Sequence, residues 1–265
     1  MLTVSLGGGM GDCIAAAAAV QYKARNENTQ IYFNGPPSVQ SALQYHPQVI
    51  PGHGRGQEIV LKWASQISQV NIKHLHMKQK YSYQLGFFLD PTYTLDIYDS
   101  DRKVIRCDRS ENTVLINSLS NLPTKRFIPK NLLENLIIPI IKAKGYSYEF
   151  IGSHYGNSDK DIASCIQKIR KAKLYIGPIS GMAFLAEALH IPRMIFCTSV
   201  PYYYDMSFEG LTPIMQQEPC ILDCEWARDG NYKHPTIYNE MGCKEINCKG
   251  TFSEKQIVHN LELLL

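Results

Sequence analysis

The stretch Leu2-Thr3-Val4-Ser5-Leu6-Gly7-Gly8-Gly9-Met10-Gly11-Asp12 constrains this chain most, because it joins a short apolar strand to a glycine-rich turn that ends in a carboxylate. The continuation, Cys13 to Arg25, reads as a helix, since the run Ala15 to Ala19 has high helix propensity. Strand, turn and helix in that order bring bare backbone N–H groups and one acid to the carboxyl edge of a first strand, where the clefts of open α/β sheets lie. Two other readings compete for the same residues. In one, the glycines only permit positive φ, and Asp12 is an N-cap that accepts first-turn N–H bonds. The other is a dinucleotide fold, which requires G-x-G-x-x-G and an acid at the end of the second strand. Counting from Gly7 and Gly9, the third glycine position holds Asp12, and the expected second strand, Thr29 to Asn34, ends in an amide. NAD or FAD binding is therefore not expected.

Further along, Ser38 to Tyr45 reads as a short helix and Gln57 to Gln66 as another, while Pro47 to Arg106 as a whole lacks clear periodicity. A new series opens at Thr113 to Asn117 and continues with a helix from Lys130 to Lys144, stopped by Gly145. It goes on through a strand at Tyr148 to Ile151, a helix at Asp159 to Lys171, a strand at Leu174 to Gly177, a helix at Gly181 to Leu189 and a strand at Arg193 to Phe196. Such alternation predicts an α/β protein with parallel sheets and helices on both faces. Two series, each starting afresh with a strand and a polar or glycine-rich loop, predict two Rossmann-like halves, residues 1–108 and 109–265, facing across a cleft. A length of 265 residues with 45% apolar and 19% charged content is enough for both.

The net charge of +3 is small, and the one basic cluster, Lys168 to Lys173, reads as a solvated helix end, so a nucleic-acid surface is not indicated. No apolar span is long enough to cross a bilayer, and Asp12 interrupts an N-terminus without a cationic lead, so a cytoplasmic protein is expected. Cys13, Cys107, Cys165 and Cys197 lie singly in apolar stretches, where a reduced thiol is the default.

The segment Ile176 to Pro192 repeats the first motif: a strand ends in a small-residue turn that opens a helix. Backbone N–H groups around Gly177, Gly181 and Met182, with the Ser180 hydroxyl and the positive helix end, form a natural diphosphate cradle. Glu187, about two turns into the helix, lies where a carboxylate could reach ribose hydroxyls; the alternative is a capped core helix with one solvated Glu.

With these motifs the chain resembles the heptosyltransferase-type family of GT-B glycosyltransferases, which includes the ADP-heptose:lipopolysaccharide heptosyltransferases. That family opens with a strand, a Gly-Asp turn and an apolar helix, as at Gly11-Asp12. Its second half opens with a strand, a Ser/Thr loop and a Lys before an aromatic, matched by Ile116 to Phe127. Its nucleotide loop is followed in outline by Gly177 to Leu189, and its Cys-rich C-terminal segment precedes a short amphipathic helix, here Ser253 to Leu264. The chain departs where the family usually has Asp and His, carrying Ile179 and Phe184 instead.

The resemblance implies an inverting transfer of a sugar from a nucleotide-diphosphate donor to an acceptor hydroxyl on a glycan. Asp12 would be the general base and Lys125, with Arg126, would neutralise the departing diphosphate. Ser118, Ser120 and the N–H groups at Ser180, Gly181 and Met182 would help, and Gly9, Met10 and Gly11 would line the acceptor side. No cofactor would be required. A protein or modified nucleic-acid base as acceptor, and a nucleotide-sugar-binding module without catalysis, are the competing readings.

Other residues complete the inventory. Cys220, Cys224, Cys243 and Cys248 form two close pairs whose outline suits structural zinc or iron, with free thiols and disulfides as alternatives. Asp99-Ser100-Asp101 spells the D-x-D of metal-dependent transferases but reads as a polar turn. Tyr202 to Tyr204 read as loop packing, and His53, His74 and His76 as surface residues.

Overall fold

The computed structural model describes residues 1–62, 75–120, 126–154, 157–158, 161–198, 206–207, 209–216 and 251–265. The first half comprises β1 (Leu2–Ser5), α1 (Met10–Asn26), β2 (Ile31–Asn34), α2 (Pro37–Leu43), β3 (Val49–Pro51), β4 (Gln57–Val60) and α3 (Met77–Gln84). The second comprises β5 (Thr113–Ile116), α4 (Lys130–Leu132), a π-helical turn (Leu133–Ile137), α5 (Ile138–Ala143), β6 (Ser147–Phe150), a two-residue ladder of β7 (Ser153–His154) with β8 (Asn157–Ser158), and α6 (Ile162–Lys171). It ends with β9 (Leu174–Pro178), α7 (Gly181–Ala188), β10 (Arg193–Cys197), β11 (Leu211–Met215) and α8 (Glu254–Leu264).

Each half has its own parallel sheet, ordered β3-β2-β1-β4 in the first and β11-β10-β9-β5-β6 in the second. These are doubly wound orders, reversing direction between β1 and β4 and between β5 and β9 respectively. The mixed α/β architecture with two parallel sheets is as the alternation predicted. No helix among the described residues is long and apolar enough to cross a membrane.

One expectation fails here. Residues 57–60 are not helical; they form β4, parallel to β1 with Ser5 opposite Val60. As an edge strand β4 is largely solvated, Val60 being 70% exposed, so it lacks the apolar alternation that identifies a half-buried strand.

Helix α1 is central. Cys13 to Gln21 are buried without interruption, covering every side of more than two helical turns, as expected of a helix packed all round. The alanines help make this possible, because their short side chains let α3, α7, α2 and β2 all pack against α1. One continuous core joins Val4, Phe33 and the α1 alanines to Tyr175, Leu185 and Ile195 of the second half. A second core, on the other face of the second sheet, collects Val114, Ile116, Ile176 and Phe196 beneath Ile137, Ile141, Ile257 and Leu261.

Candidate active site

Ligands of doubly wound sheets bind beyond the carboxyl ends of the strands where strand order reverses. In the first half that point is followed by Gly7 to Gly9 and α1. In the second it lies between Asn117-Ser118, after β5, and Gly177 to Ser180, at the end of β9 and the start of α7. The two turns touch. A Cβ on Gly181 would collide with the Met10 side chain, and a Cβ on Gly11 would lie 2.8 Å from Cδ2 of Phe184. Both glycines are thus fixed by close approach of the two helix starts, and both positive helix ends open at one locus.

Helix α1 begins at Met10, with Gly9 as an N-cap that supplies no side chain. Asp12 is therefore not the cap; it lies inside the first turn, where the main-chain N–H groups of Met10 to Asp12 have no acceptor within the helix and favour a negative charge. Its half-buried carboxylate accepts the Tyr81 hydroxyl on Oδ1 at 2.7 Å, and an added Cβ on Gly9 would lie 3.5 Å from Oδ2. The neighbouring Cys13 is a core thiol: burial, with the Asp12 charge second, pushes it up to about 12.

On the facing turn, Ser180 caps α7 by accepting the Ala183 N–H. Its hydroxyl also meets the amide of Asn117, a fully buried hub. Asn117 accepts the Ser180 and Tyr175 hydroxyls through its oxygen and donates its nitrogen to the carbonyls of Leu119 and Ser153, the orientation in which every donor meets an acceptor. Burial raises the Tyr175 phenol to about 12, so it stays a neutral donor. The Ser180 hydroxyl is thus spent on structure, and the N–H groups of Gly181 and Met182 are those without an acceptor inside the helix. Arg126 returns to this loop because Ser120 N–H bonds to its carbonyl and Ile128 N–H bonds to that of Ser118; its guanidinium reaches the Ile179 carbonyl at 3.5 Å. Ser118 is buried, and its Oγ has no partner among the described residues.

Glu187 is 3% exposed and ion-paired with Lys78 of α3 at 2.5 Å, so it is neither solvated nor open to solvent. Oε1 also accepts the Ser207 N–H, whereas Oε2 is buried with no partner among the described residues. The Lys78 ammonium is fully satisfied, donating as well to the carbonyls of Pro91 and Tyr93. Burial lowers its pKa and the Glu187 charge opposes that shift. His76, expected on the surface, is a correction: it is buried and caps α3, its Nδ1 accepting Lys78 N–H while Gln79 returns a bond to its backbone. Tyr81, Lys78 and Asn117 are polar residues the sequence did not single out; His76-x-x-Gln79, a reciprocal cap outline, was the available sign that a helix starts there.

Gly9, Met10, Gly11, Asp12, Gly177, Ser180, Gly181, Met182 and Arg126 therefore gather around one locus. Lys125, Cys220, Cys224, Cys243, Cys248 and Tyr202 to Tyr204 lie outside the described residues. Asp99-Ser100-Asp101 does form a tight polar turn, Asp99 Oδ1 accepting the N–H groups of Asp101 and Lys103. Among the described residues, no cluster of His, Cys, Asp and Glu could hold a metal ion.

No protein-family model matches this chain, and no curated protein matches its sequence. Solved structures resemble it. TibC, a bacterial iron-containing dodecameric glycosyltransferase from enterotoxigenic E. coli H10407, superposes with a TM-score of 0.62 at 17% identity, over 80% of this chain and 62% of TibC. The TibC heptosyltransferase in complex with ADP-D-beta-D-heptose gives 0.68 at 15%, over 100% of this chain and 77% of that one. E. coli ADP-heptose LPS heptosyltransferase II gives 0.59 at 10%, over 100% and 98%. The likeness establishes the fold. This chain spans less than two thirds of the first TibC chain.

Proposed function

We propose that this chain is an inverting glycosyltransferase of GT-B design, its halves, residues 1–108 and 109–265, holding a nucleotide-diphosphate sugar between them. The observation that carries the reading is the abutment of the two glycine turns, through Met10 on Gly181 and Gly11 under Phe184, which brings the first turn of α1, the turn that holds Asp12, against the start of α7. In one displacement the acceptor hydroxyl gives its proton to Asp12, its oxygen forms the new bond to the anomeric carbon, and the bond from that carbon to the diphosphate oxygen breaks with the electron pair leaving on the diphosphate. The N–H groups of Gly181 and Met182, Arg126 and Lys125 stabilise the departing charge. Glu187 ties α7 to α3 in this arrangement. A glycan is the acceptor class we favour.

The heptosyltransferase neighbours make ADP-linked heptose the first donor to try. The two late cysteine pairs, four soft thiolates, fit a structural zinc or iron, and the iron in the TibC description supports that assignment. The test is Asp12→Asn. We expect transfer to fall by about 10²–10⁴-fold while donor binding, read as a thermal shift, persists. Binding without turnover on any acceptor in the wild-type chain would favour a binding module instead.

A further inference from the structure

A tyrosine hydroxyl removed from water needs an acceptor, and the Tyr81 O–H, on a residue with 0% exposure, donates a hydrogen bond to Oδ1 of Asp12 at 2.7 Å. It could have faced a main-chain carbonyl. Instead it crosses from α3 to the first turn of α1, and bonds a carboxylate that is itself only half-buried. The donor is rigidly held. Helix α3 packs along α1, is fixed at its start by the reciprocal His76–Gln79 cap, and carries Lys78 one turn earlier on the same face, anchored to Glu187 on α7. One face of α3 therefore grips both helices whose starts form the site: α7 through Lys78 and α1 through Tyr81.

We propose that Tyr81 is the positioning residue of the proposed base, holding Oδ1 so that Oδ2, the oxygen beside Gly9, receives the acceptor proton. This rests on the reading of Asp12 given above. A carboxylate on a free χ1 and χ2 samples several rotamers; a charge-assisted bond to a buried phenol selects one and favours the ionised form. Tyr81 touches no reacting atom in this scheme, and its effect passes entirely through Asp12.

The test is Tyr81→Phe, which keeps the ring and removes the donor, with Tyr83→Phe on the solvent side as control. We expect Y81F to lower kcat about 10–100-fold with the donor KM within about twofold, because placement rather than binding is lost. The acid limb of the kcat profile should move to higher pH. The ¹³C carboxyl titration of Asp12, which needs no turnover, should move the same way, and Y83F should leave all three unchanged. Site-specific 3-fluorotyrosine at position 81, a more acidic donor, should shift both curves to lower pH and serves if Y81F fails to fold. An Asp12 titration identical in wild type and Y81F, or an unaltered kcat, overturns the proposal. Full turnover in D12N overturns the base reading, and Tyr81's role with it, even where the titration registers the contact; the two failures are thereby told apart.

Discussion

Lys78 and Glu187, 109 residues apart, meet as a buried ion pair between α3 of the first half and α7 of the second. Removing one partner of such a pair strands the other charge away from water, at a cost of about 3–5 kcal/mol, whereas replacing both with apolar groups is often near neutral. Lys78→Met should therefore lower the urea midpoint far more than the double variant Lys78→Met/Glu187→Met. Equal losses in the two would mean that a stranded Glu187 charge costs the fold nothing.

Acid should unfold this protein through two histidines. Burial pushes both His46 and His76 down to about 4 from 6.5, with the positive charges of Arg25 and Lys78 adding to the effect. His46 Nδ1 accepts the N–H groups of Gln48 and Val49, and these bonds are lost when it is protonated. Below pH 6.5 the unfolded chain takes up protons that the native state refuses, so stability is complete above 6.5 and is lost as the pH falls towards about 4, by up to about 3 kcal/mol per histidine. Urea midpoints measured from pH 8 to 4 should trace this decline, and His46→Asn should flatten it.

Gly11 has no room for a methyl group beneath Phe184. Gly11→Ala should cost about 1–3 kcal/mol by overpacking, and Phe184→Ala in the same chain should recover part of that, since the pair is in direct contact. Additive losses in thermal unfolding would place the strain elsewhere. Gly181→Ala should not be milder: the Met10 chain end can rotate away, but its Cβ, which no rotamer moves, would lie 2.7 Å from the added methyl.

Asn117 holds three segments through four hydrogen bonds. Asn117→Ala leaves the buried Tyr175 hydroxyl and two carbonyls short of partners, each worth about 1–3 kcal/mol. We expect a lower melting temperature together with weaker donor binding, the latter because Ser180 and the start of α7 lose their support. Calorimetry with the donor distinguishes this from a purely global loss.

Legibility followed local physics. Strands β5, β9 and β10 are buried on both faces for most of their length and show in the sequence as the apolar runs Val114–Ile116, Leu174–Ile176 and Met194–Cys197, and Gly145, at φ +81°, ends its helix as expected. Asp12 and the Gly177–Met182 turn were visible because glycines and small residues at a strand end have few other uses. The resemblance built on weak motifs is met at the level of fold. Helix α3 was not visible: Met77-Lys78-Gln79-Lys80-Tyr81-Ser82 reads as polar, yet Lys78, Lys80, Tyr81 and Ser82 are all buried. Lys78 and Tyr81 find there a distant carboxylate each, Glu187 and Asp12, and no local pattern encodes a partner on another helix. Strand β4 was misread for the opposite reason, being an edge that the core barely marks.

The five consecutive alanines of α1 bear on more than tight packing. A surface of methyl groups adds no rotamers of its own, so the register of α7 on α1 is set by larger groups at its ends: Met10 on Gly181, Phe184 over Gly11, and Lys78 paired with Glu187. Among the described residues the seam is thus smooth along its middle and keyed at both ends, so a change at either end is felt at the other.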